Sequence, residues 1–92
     1  MVNQIKNKFQ ERHVTFGTFH GLDSTIAIEC LKYSGLDYVI IDTEHGQITS
    51  ETASRLIAAC DCAQLTPFVR ISEISRPNIL KNLDMGAKGL II

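Results

Sequence analysis

Residues 38–46 read Tyr38-Val39-Ile40-Ile41-Asp42-Thr43-Glu44-His45-Gly46. Apolar side chains fill consecutive positions up to Asp42, the pattern of a parallel strand buried on both faces. The run then breaks into a polar loop, and Thr49 or Ser50 is placed to cap a helix. Along that helix Ala53, Leu56, Ile57, Cys60 and Ala63 recur at helical spacing and make one apolar stripe. A buried strand followed by an amphipathic helix is the repeating unit of an α/β fold.

The same unit recurs on either side. Pro67-Phe68-Val69-Arg70-Ile71 is expected as a strand with Pro tolerated at its start. Ser75 then caps a helix with Pro77 in its first turn, Ile79, Leu80 and Leu83 on its buried face, and Gly86 as its stop. Gly89-Leu90-Ile91-Ile92 begins another strand. Upstream, Val14-Thr15-Phe16-Gly17 is expected as the first strand. Asp23-Ser24-Thr25 caps a helix carrying Ile26, Ala27, Cys30 and Leu31 on one face, with Gly35 at its left-handed terminus. Phe68 and Met85 read as core. The order is β-α-β-α-β-α-β, a parallel α/β sheet.

Handedness sharpens that expectation. Parallel crossovers are right-handed, so strands in sequential order 1-2-3-4 send every connecting helix to one side of the sheet. The other side is left bare and apolar, and the last strand is an open edge. Closing the sheet into a (β/α)₈ barrel removes both problems, but such barrels take about 250 residues. Residues 1–92 are therefore expected to form one truncated domain, the N-terminal half of a TIM (β/α)₈ barrel with four strands and three helices, which self-associates through its bare face or edge strands.

Composition narrows the class of partner. The chain has 92 residues, 45% of them hydrophobic and 21% charged, with a formal net charge of −1. It lacks the basic cluster that nucleic acid requires and any apolar run of the roughly 20 residues a membrane helix needs. The first twelve residues are polar and mixed in charge, unlike a secretory signal, so a cytoplasmic location is expected. Cys30, Cys60 and Cys62 form neither a C-x-x-C pair nor a zinc spacing, and Cys30 and Cys60 are expected as buried packing residues.

Chemistry in parallel α/β folds gathers at the C-terminal strand ends. Those ends carry Gly17-Thr18-Phe19-His20, Asp42-Thr43-Glu44-His45-Gly46, and Arg70. Asp42 and His45 are close enough for a carboxylate–imidazole bond that would tune a general acid/base, while Asp42 alone would serve to cap the turn. Arg70 in an apolar stretch needs an anion: a substrate carboxylate or enolate oxygen, or an internal pair with Glu44 or Asp42. His20 is a weaker candidate substrate contact, and Gly46 lets the backbone turn.

Gly35 to Gly46, with its Asp42-Thr43-Glu44-His45-Gly46 run, resembles the hallmark segment of the HpcH/HpaI family of metal-dependent (class II) pyruvate aldolases, which includes 2-dehydro-3-deoxyglucarate aldolase. Pro67 to Ile71 and Asn78 to Ile92 resemble the following strand, helix and strand of that family. The resemblance implies a (β/α)₈ barrel that cleaves 4-hydroxy-2-oxo acids into pyruvate, or a related 2-oxo acid, and an aldehyde. It implies a divalent metal, Mg²⁺ or Mn²⁺, that stabilises the enolate. Arg70 would bind the oxo-acid oxygens, and His45, held by Asp42, would move the proton of the 4-hydroxyl. Glu44 would support the metal's outer shell beside the substrate, with Gly46 in the same loop. The family's metal ligands, a Glu and an Asp, come from later strands absent from these residues, so the chain alone is expected to be inactive. The competing expectation is a small self-associating α/β binding or signalling module without catalysis.

Overall fold

The computed structural model describes residues 3–11, 14–44 and 48–92. Its elements run α1 (Gln4–Gln10), β1 (Gly17–His20), α2 (Thr25–Leu31), β2 (Tyr38–Asp42), α3 (Ser50–Cys62), β3 (Thr66–Arg70), α4 (Arg76–Asp84) and β4 (Gly89–Ile91). The four strands form one parallel sheet in the order β1-β2-β3-β4. This is the β-α-β-α-β-α-β half of a TIM barrel, with one helix in front of it that the sequence patterning does not suggest.

Local chemistry sets the element ends. The hydroxyls of Ser24, Thr49 and Ser75 accept the backbone N–H groups of Ala27, Thr52 and Asn78, and each begins a helix. Pro77 sits in the first turn of α4, where its missing N–H costs nothing. At the end of α4, Gly86 is left-handed (φ +108°) while Ala87 N–H reaches Asn82 O and Gly86 N–H reaches Leu83 O. This double bond pattern takes up two carbonyls the helix leaves open. The same pattern ends α3, with Gln64 at φ +60° in place of glycine.

The core lies on the helix side of the sheet. Val39, Ile41 and Val69 point into it and are fully buried, meeting Ile28 of α2 and Ala53, Leu56, Ile57 and Cys60 of α3. Burial pushes the Cys60 thiol up to about 12, with Asp61 adding to the effect. The alternate residues Tyr38, Ile40 and Phe68 face the other way and are only partly buried. There Tyr38 and Phe68 lie tilted at 5.5 Å between ring centroids and, with Gly89, Leu90 and Ile91, line a shallow apolar groove. The bare face expected from the handedness of the crossovers is present. No helix among the described residues is long and apolar enough to cross a membrane.

Three expectations are corrected. The first strand runs Gly17–His20, not Val14–Gly17, and Val14 and Phe16 are exposed. Gly17 opens the strand rather than closing it because the Tyr38 ring of β2 covers it: a Cβ there would lie 2.1 Å from a ring carbon. Helix α2 turns Ile28, not Ile26 and Cys30, to the core. Residues two apart on a helix point about 200° from each other, so seating Ile28 exposes both neighbours. Helix α4 is rotated similarly: Asn82 is buried and Ile79 packs on the core, while Leu80 and Leu83 are nearly half exposed. The Asn82 amide tolerates burial because it donates to Asn78 O at 2.8 Å.

Helix α1 is tied down at three points. Ile5 is buried, Asn3 Nδ2 donates to Lys88 O at 3.2 Å, and Lys8 Nζ pairs with Asp37. Asp37 also accepts Phe16 N–H at 2.9 Å, so one carboxylate joins α1 to the entries of β1 and β2. The Lys8 bond first, then the Phe16 bond, holds the Asp37 carboxyl below its usual value. A depressed folded pKa gives stability that is present above the unfolded value and lost as pH falls through the folded one. Asp37→Asn is therefore expected to lower stability at neutral pH by roughly 0.5–1 kcal/mol. That deficit should shrink below about pH 4, where wild type also loses its carboxylate. Urea midpoints of both chains at neutral and acid pH check this.

Candidate active site

Two strand ends build the site. Asp42 closes β2 and Arg70 closes β3, and the sheet register sets them directly opposite each other on the face away from the helices. Arg70 Nε donates to Asp42 Oδ1 at 3.2 Å and Nη2 donates to Oδ2, a two-pronged pair in the plane of the guanidinium. Glu44 Oε2 lies 3.7 Å from Arg70 Nε and adds a second carboxylate to the same cation. Of the partners possible for Arg70 from sequence, the structure thus shows both internal ones. The Asp42 bond, more than the neighbouring charges, raises the Arg70 pKa above its ordinary value, so the cation persists at any working pH.

The loop start is fixed as firmly. Glu44 N–H donates to Asp42 Oδ1 at 3.0 Å, a side-chain-closed turn that makes Asp42 a cap as well as an ion partner. Thr43 gives both its N–H (3.1 Å) and its hydroxyl (2.6 Å) to the Arg70 carbonyl, locking the two strand ends together. Thus Asp42, Glu44 and Arg70, three of the residues singled out from sequence, come together. His45 and Gly46 lie outside the described residues.

Strand β1 adds a residue that the sequence pattern passes over. Phe19 projects onto the site's face, and the Arg70 guanidinium carbon lies 4.9 Å from its ring centroid. Reading Gly17-Thr18-Phe19-His20 as a loop hides this; reading it as a strand puts Gly17 and Phe19 together on one face by alternation. His20 falls on the opposite face, paired with Ile41 and buried, with Nε2 unpartnered among the described residues. It therefore lies away from Arg70 and not beside it as a substrate contact.

No protein-family model matches the chain. A hydroxypyruvate/pyruvate aldolase of Paraburkholderia phytofirmans is 31% identical over 91 residues, covering 97% of this chain and 35% of that protein. A crystallised HpcH/HpaI aldolase from Desulfitobacterium hafniense superposes with a TM-score of 0.89 at 29% identity, over 96% of this chain and 34% of that one. The chain is a homologue of the HpcH/HpaI aldolases. It spans about a third of the length of the curated relatives it matches. A solved citrate synthase, SbnG, shares the same segment at 37% identity with a TM-score of 0.88, over 94% of this chain and 35% of that one.

Aldolases of this class imply a divalent metal. Among the described residues no group of three or more His, Cys, Asp or Glu side chains is arranged to hold one. Asp42 and Glu44, the carboxylates nearest the candidate site, are both turned to Arg70. The described residues do not fit a metal cage.

Proposed function

We propose that this aldolase-type chain supplies the anion-binding and proton-moving side of a site that cleaves 4-hydroxy-2-oxo acids into pyruvate, or a related 2-oxo acid, and an aldehyde. The observation that carries this reading is Arg70, a permanent cation held in plane by Asp42 at the C-terminal end of β3. A guanidinium so oriented is suited to the carboxylate and 2-oxo oxygens of an oxo acid and to the charge an enolate develops. The resemblance gives Asp42 the further task of orienting the His45 imidazole. His45 is assigned the proton of the 4-hydroxyl, and Glu44 and Gly46 the loop beside the substrate, on the strength of the resemblance. The metal's carboxylate ligands belong, on this reading, to later strands of a complete barrel. The partly exposed face of Tyr38, Ile40, Phe68 and Ile91 is assigned to contact with a second copy.

Pyruvate titrated into the labelled chain should shift the Arg70 side-chain resonance, whereas pyruvate methyl hydrogens should not exchange with deuterated water even with Mg²⁺ or Mn²⁺ added. Absence of any pyruvate binding would overturn the site. Exchange abolished by His45→Ala or Arg70→Ala would overturn the expectation that the chain is inactive alone. The citrate synthase neighbour favours a second reading, in which the same cation takes a polycarboxylate. Citrate displacing pyruvate at equal concentration would favour that one.

A further inference from the structure

We propose that Phe19 is a positioning residue that holds the plane of the Arg70 guanidinium for its anion; this rests on the oxo-acid reading of Arg70. Phe19 is 55% exposed, on the sheet face that carries the Asp42–Arg70 pair. Its ring lies under the Arg70 guanidinium carbon at 4.9 Å. The two residues sit on β1 and β3, with β2 between them, and strands are spaced about 4.8 Å apart. The contact therefore requires the long Arg70 side chain to lean back across Asp42, over the middle strand.

Two constraints of different kinds result. Asp42 grips the guanidinium in its plane through Nε and Nη2. The Arg70 guanidinium carbon sits over the Phe19 ring, whose quadrupole attracts the cation. The ring adds an apolar contact to the polar ones that Asp42 and Glu44 make with the same group. An arginine already fixed loses less side-chain freedom when a ligand binds, which strengthens binding without any new contact to the ligand. The ring also limits approach: a small planar oxo acid meets Arg70 from a side the ring does not occupy. An aliphatic residue at position 19 would match the apolar surface and supply neither the attraction nor the flat wall.

The test follows the Arg70 Nε–H by nitrogen-15 NMR in wild type, Phe19→Leu and Phe19→Tyr while pyruvate is added. In wild type the ring current should hold that proton upfield of its position in Phe19→Leu, where the Asp42 bond acts without the ring. Phe19→Leu should also weaken pyruvate binding about three- to tenfold, with Phe19→Tyr restoring both and all three spectra equally dispersed. Unchanged pyruvate affinity in Phe19→Leu, with wild type binding, overturns the proposal and leaves the oxo-acid site standing. Weakening that Phe19→Tyr fails to restore overturns it as well. Wild type that keeps the ring shift yet binds no pyruvate overturns the oxo-acid reading, and the positioning role falls with it.

Discussion

Ile28→Ala is expected to lower the stability of the chain by about 2–5 kcal/mol, while Ile26→Ala, two residues away on the same helix, changes it by less than about 0.5 kcal/mol. Both remove the same atoms from the same short helix, so propensity cancels between them. What differs is where the side chain goes. Ile28 has no exposed surface and sits in the cluster with Val39, Ile41 and Leu56, whereas Ile26 is 71% exposed. Removing Ile28 takes away its transfer free energy and leaves a hole that α2 and α3 close only partly. A 92-residue domain is stable by roughly 5–14 kcal/mol in total, so the loss is a large share of it. Urea midpoints at fixed pH measure the pair, and a larger drop for Ile26→Ala would show α2 rotated as its apolar stripe suggests from sequence.

That pair of residues also shows how far the sequence can be read. Helix α3 is legible to its cap because thirteen residues give the apolar stripe enough turns to fix which face is buried. Helix α2 has seven residues, Thr25-Ile26-Ala27-Ile28-Glu29-Cys30-Leu31, in which two incompatible faces are about equally apolar. Only the sheet decides between them. Strand β2 is legible residue for residue because it is apolar throughout and ends at a charge. Strand β1 is not, because Gly17 reads as a stop until the Tyr38 ring is known to lie over it. The site divides in the same way. Asp42 and Arg70 are readable as strand-end charges, and their pairing then follows from a register that places them opposite each other. Phe19 is invisible as long as its strand is taken for a loop. Helix α1 escapes altogether, since its fixing points are one buried Ile5 and bonds to Asp37 and Lys88, far along the chain.

Arg70→Met is expected to weaken pyruvate binding by roughly ten- to a hundredfold, the loss typical of removing a charged hydrogen-bonding partner from an anion. Methionine keeps much of the apolar stem and packs against Phe19, so the change isolates the guanidinium. It also leaves Asp42, with 12% of its side chain exposed, and Glu44 facing each other without the cation between them, and both then repel an incoming carboxylate. Arg70→Lys separates charge from shape. An ammonium keeps the positive charge but loses the flat fork that Asp42 holds in plane and that Phe19 faces, so its affinity should fall between wild type and Arg70→Met. If Lys binds as well as Arg, the site reads charge alone and the in-plane grip of Asp42 is incidental. If Met binds as well as Arg, the cation serves only to join β2 to β3 through Asp42, and the oxo acid must be recognised elsewhere. Calorimetric titration of pyruvate into the three chains, each checked for a dispersed amide spectrum, distinguishes these outcomes because the fold's own demand on Arg70 appears in the spectrum and the ligand's demand appears in the heat.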